Sequence, residues 1–113
     1  MNNVDISSKG CHYLIDDKEI IEVIPLEYSV YHTGKGNDYA CKFGIAIEIV
    51  SNIDKEKYLK GQKKAISLIK DLMKKYNLTK DDIYFHNDFA NRYCPHQILD
   101  IYGSRNNFLR KEF

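Results

Sequence analysis

A change of period at Lys55 constrains this chain more than any other feature. Upstream, apolar residues come in short runs or alternate; from Lys55 to Tyr76 they fall at helical spacing. Tyr58, Leu59, Ala65, Ile66, Ile69, Leu72, Met73 and Tyr76 line one face, and Lys60, Lys63, Lys64, Lys70, Lys74 and Lys75 occupy the other. An apolar stripe of that width has to lie against a second layer. The spacing therefore predicts one long helix over 55–76, packed on whatever the preceding residues build. Ser51-Asn52-Ile53-Asp54 offers side-chain acceptors to its first amides, and Asn77 is a candidate C-cap. The lysine face reads as solvated surface.

What the preceding residues build is sheet. His12 to Ile15 is a strand candidate, Asp16-Asp17-Lys18 is turn chemistry, and Glu19 to Ile24 returns, so residues 11–25 read as a hairpin ended by Pro25. Tyr28 to His32 alternates weakly, as a short strand does. Gly34-Lys35-Gly36-Asn37-Asp38 is a loop. Phe43 to Val50 is apolar apart from Gly44 and Glu48, which predicts a central strand buried on both faces. Beyond the helix, Thr79 to Asp82 is a turn, Ile83 to His86 a short strand and 87–96 a loop. Gln97 to Ile101 reads as a helical turn, and Asn106 to Phe113 starts another helix. The expected fold class is α/β: a mixed central β-sheet with helices packed on it.

Size and charge narrow the function classes. A chain of 113 residues with 43% hydrophobic content suits one domain over 1–113. It has no apolar run of about 18 residues, so no membrane span is expected. Met1-Asn2-Asn3-Val4-Asp5 carries no basic segment followed by an apolar one, so the expectation is cytoplasmic synthesis without a signal peptide. A net charge of +1 gives no argument for nucleic acid. Three cysteines (Cys11, Cys41 and Cys94) cannot all pair and are not spaced as a disulfide scaffold.

The run from His86 to His96 carries the most chemistry. His86 and Cys94 offer an imidazole and a thiolate, ligand types that Zn²⁺ favours. Eight positions apart, they meet only across a loop that leaves a strand and folds back, which suits an open site better than a closed structural one. The plain alternative is a buried histidine and a buried thiol, both common. Glu48, between Ile47 and Ile49, is a candidate general base or else a solvated carboxylate at a sheet end. Arg92 is a candidate for stabilising negative charge or else an exposed loop residue. His32 is a candidate for binding substrate or else a polar loop histidine.

Taken in order, four stretches resemble the zinc-dependent N-acetylmuramoyl-L-alanine amidases, the group that includes phage endolysins, bacterial autolysins and animal peptidoglycan recognition proteins. They are Gly10 through Ile21, His32-Thr33-Gly34-Lys35-Gly36, Gly44 through Ile49, and His86 through His96, covering about residues 10–100. The resemblance implies hydrolysis of the amide between N-acetylmuramic acid and the first L-alanine of the stem peptide in bacterial peptidoglycan. It implies Zn²⁺ held by His86 and Cys94, with Glu48 as the acidic residue beside the metal and Arg92 where many members carry a lysine near the developing oxyanion. His32 and Gly34 match the loop that borders the substrate groove. The family's N-terminal strand, with its first zinc histidine, has no counterpart before the hairpin, so the metal site is expected to be incomplete in this chain. Cys11, on the side some relatives turn toward the metal, is then a makeshift ligand candidate. A sheet short of a strand is also expected to form a homodimer or to associate with a full-length amidase chain. The alternative function is a non-catalytic peptidoglycan-binding or regulatory subunit. Hydrolysis is separated from binding by release of L-alanine amino termini.

Overall fold

The computed structural model describes residues 11–28, 44–88 and 93–113. His32, Gly34 and Arg92 lie outside them, as does most of the strand expected over 28–32. The described residues form three strands, β1 (Tyr13–Ile15), β2 (Ile20–Glu22) and β3 (Ile47–Ile49), and three α-helices, α1 (Lys55–Tyr76), α2 (His96–Tyr102) and α3 (Arg105–Glu112). By backbone contacts the chain divides into one unit up to Ala65 and another from Ile66.

In the first unit, β1 and β2 form the hairpin that the turn chemistry predicts, antiparallel with Tyr13 opposite Glu22 and Ile15 opposite Ile20. Asp16 makes the turn: its Oδ1 accepts from the Lys18 and Glu19 amides, both at 2.8 Å. Those two donors hold the Asp16 carboxyl below the usual range. The turn's contribution to stability is therefore present above the ordinary carboxylate pKa and fades as pH falls below it. β3 runs parallel to the other side of β1, pairing Leu14 with Glu48. The sheet order is β2-β1-β3. This corrects the expectation for 43–50: among the described residues β3 is an outer strand, and β1 is central. Ile47 and Ile49 are half-buried on one face, while Glu48 is exposed on the other.

α1 begins where Asp54 caps it, its Oδ1 accepting from the Glu56 amide at 3.0 Å. It spans the range its periodicity predicts, and Asn77 ends it in the left-handed region at φ 56°. Tyr58, Ala65 and Leu72 are buried, while all the lysines of α1 except half-buried Lys64 are exposed. Gly61 lets the helix approach the hairpin. A Cβ there would lie 3.1 Å from the carbonyl carbon of Asp16, which is backbone and cannot swing aside. Gly61→Val is accordingly expected to cost about 1–3 kcal/mol despite glycine's poor helix propensity, read as a lower urea midpoint.

The second unit is organised around Phe108, which is 2% exposed. Its ring packs against Phe85 at 5.7 Å, Tyr102 at 5.0 Å and Phe113 at 5.8 Å between centroids, in tilted or edge geometries. α2 ends at Gly103 with φ 84°. Ser104 caps α3 by accepting from the Asn107 amide at 3.1 Å. Residues 83–86, expected as a strand, are not one. Ile83 C=O accepts from the Arg105 guanidinium at 2.9 Å. Phe85 N–H donates to the Asp88 carboxylate at 2.7 Å, and Phe85 C=O accepts from the Asp88 amide at 2.9 Å. Backbone groups that a ladder needs are taken by these partners, and His86–Asp88 closes as a 3-10 turn instead.

Candidate functional site

The loop from His86 to Cys94 leaves Phe85 and folds back. The Asn87 N–H donates to the Cys94 carbonyl at 3.1 Å, so the residue after His86 is bonded to Cys94 itself. His86 and Cys94 are both half-buried. Cys94 is in no disulfide, and the peptide bond to Pro95 is cis. His96, the first residue of α2, is exposed.

The loop is anchored from behind. Besides its bond to Ile83, the Arg105 guanidinium lies 3.9 Å from the Asp88 carboxylate and stacks over Tyr84 at 5.3 Å from the ring centroid. Phe85, buried on Phe108, fixes the strand-like approach to His86. A cleft of about 280 Å³ beside this turn is lined by Asn87, Asp88, Gly103, Ser104, Arg105 and Asn106. None of Asp88, Arg105 and Phe108 stood out in the sequence. Their roles come from partners about 20 residues away, and no local pattern signals that.

An imidazole and a thiol are donors of the kind zinc prefers, and the Asn87–Cys94 bond gives the loop that carries them a fixed closure. In kind, then, the pair fits zinc; in number it is two of the three protein ligands that an open site uses. Among the described residues no group of three His, Cys, Asp or Glu side chains is arranged to hold a metal ion.

The first unit holds the other chemistry. His12 is 1% exposed, and both ring nitrogens are engaged. The Ala46 N–H donates to Nδ1 at 2.9 Å, which leaves the proton on Nε2, and Nε2 donates to the Tyr28 carbonyl at 2.7 Å. This histidine ties the start of β1 to the residues before β3 and to the turn after the hairpin. His12→Ala is expected to cost about 1–3 kcal/mol, chiefly for the buried Ala46 amide left without an acceptor, since water can reach the Tyr28 side. Equilibrium urea unfolding measures it.

Cys11 is 7% exposed and clusters with Ile24, Ala46 and Leu14. Burial, then the charge of Glu48, then hydrogen bonding toward that carboxylate push the thiol up to about 11. Among the described residues Cys11 belongs to no group of three potential metal ligands. Glu48, by contrast, is exposed.

Comparison with known proteins places this arrangement. A family model for N-acetylmuramoyl-L-alanine amidase matches residues 1–97. The chain belongs to the N-acetylmuramoyl-L-alanine amidase family. It is similar to the N-acetylmuramoyl-L-alanine amidase XlyB of Bacillus subtilis (strain 168), with 36% identity over 95 residues, covering 82% of this chain and 30% of the relative. It is also similar to CwlA of the same organism, with 35% identity over 95 residues, 82% of this chain and 35% of the relative. Among solved structures, PlyL superposes with a TM-score of 0.81 at 28% identity, covering 92% of this chain and 65% of that one. The catalytic domain of XlyA superposes with a TM-score of 0.77 at 31% identity, covering 88% and 65%. The mixed sheet and helices of this chain are thus the α/β amidase fold. The chain spans about a third of the length of these curated relatives. Among its described residues no helix is long and apolar enough to cross a membrane.

Proposed function

We propose that this chain is a peptidoglycan hydrolase domain that cleaves the amide between N-acetylmuramic acid and L-alanine in bacterial cell walls. The observation that carries the reading is the His86–Cys94 loop, closed by a main-chain bond within a chain whose residues 1–97 match the amidase family. His86 and Cys94 would hold Zn²⁺, with a third protein ligand from outside the described residues. Zinc, when bound, supplies a Lewis acid that polarises the carbonyl and makes water acidic enough to attack near neutral pH. Glu48 takes the proton of the attacking water and delivers it to the departing nitrogen, as a carboxylate on an exposed sheet face is free to do. The family resemblance gives Arg92 the role of stabilising the negative charge that develops on the former carbonyl oxygen. The same resemblance gives His32 and Gly34 a part in binding the glycopeptide.

The test pairs metal analysis with hydrolysis. Purified protein is expected to bind about one zinc per chain and to release L-alanine amino termini from purified walls. Chelation should abolish release and added zinc restore it. His86→Ala should lose the metal and the activity together. Walls left intact by a zinc-loaded protein would overturn the reading.

A further inference from the structure

Cys11 belongs to none of the roles assigned above, yet it lies against the residue proposed as the base. Its place follows from a backbone irregularity. In a regular strand Cys11 would share a face with Tyr13 and Ile15, opposite Leu14. Here the Ala46 carbonyl accepts from two consecutive amides, His12 at 2.8 Å and Tyr13 at 3.2 Å. Two residues facing one is the pairing of a β-bulge, and it shifts the alternation by one position. Cys11 is thereby carried to the side of Leu14, which packs against the cluster of Cys11, Ile24 and Ala46. Leu14 is the cross-strand partner of Glu48, so the thiol and the carboxylate meet on one face of the sheet. His12, locked by its two ring hydrogen bonds, holds the bulge in place.

We propose that Cys11 is a positioning residue for the amide hydrolysis: its S–H donates to the Glu48 carboxylate and fixes that exposed side chain in one orientation. The inference rests on Glu48 being the base. An exposed glutamate otherwise samples several rotamers, and a base must stand within hydrogen-bond reach of the water it deprotonates. A buried thiol suits this task. The folded-state value of about 11 lies above the ordinary 9.0, so the S–H form and its stabilising contribution are complete below pH 9. Both are lost as pH rises through about 11.

Two measurements on the full chain test this. The first is the pH dependence of Cys11 alkylation by iodoacetamide, read on the Cys11 peptide by mass spectrometry. Its midpoint is expected near 11 in the unaltered protein and to fall toward 9 in Glu48→Ala, without reaching it because burial persists. An unchanged midpoint overturns the contact. The second is kinetic. Cys11→Ala is expected to lower kcat about tenfold with KM unchanged, the scale of one hydrogen bond to a charged group, and Cys11→Ser, which keeps a donor, to recover most of it. A full kcat in Cys11→Ala overturns the positioning role, as does an equal loss in Cys11→Ser at unchanged stability. Full activity in Glu48→Ala would instead remove the base assignment; the alkylation midpoint then still decides the contact between thiol and carboxylate.

Discussion

Glu48→Gln is expected to lower the rate of amide hydrolysis by a factor of about 10²–10⁴ while changing stability by less than about 0.5 kcal/mol. The asymmetry follows from where the residue sits. Glu48 is exposed on β3, and its backbone is held by the parallel ladder to β1 whatever its side chain is. Glutamine keeps the size and can still accept the Cys11 hydrogen bond, so it removes proton-accepting capacity and little else. Initial rates of L-alanine release from purified walls, with urea unfolding of the same preparations, check both halves. A rate within about twofold of the unaltered protein would remove Glu48 from the chemistry.

Phe108→Ala is expected to cost about 3–5 kcal/mol, a large share of what a chain of this size has. Phe108 touches three other rings, and its burial leaves little room for neighbours to collapse into the space. The loss should also reach the candidate metal loop, because Phe85 is one of those rings and His86 follows it. Zinc affinity is therefore expected to fall together with the urea midpoint. Phe108→Leu, which fills most of the volume, should recover much of both. A Phe108→Ala protein with unchanged midpoint and zinc affinity would show that the aromatic cluster does not support the loop.

Much of the fold was legible in the residues. The hairpin was visible because Asp16 starts a turn between two apolar runs, and a turn is a local event. The long helix was visible because 22 residues repeat one pattern with caps at both ends. The same reading failed at 83–86. There, local composition says strand, while the Asp88 carboxylate and the Arg105 guanidinium take the backbone groups a strand would share. Among the described residues β3 is an outer strand, where the apolar run over 43–50 had suggested a central one.

Of the candidate site, the sequence by itself supplied the residue types and their order: imidazole, thiol, carboxylate and the family they resemble. Those are properties of composition and spacing, readable without coordinates. Only the tertiary structure decided that Asn87 bonds back to Cys94, that His12 is consumed by Ala46 and Tyr28, and that Cys11 is buried with Ile24 and Ala46. The two His12 bonds depend on backbone groups 34 and 16 positions away in the chain, and the Asn87 bond on how its loop folds back. Such pairings are set by how strands register and bulge, and side-chain identity alone does not encode them.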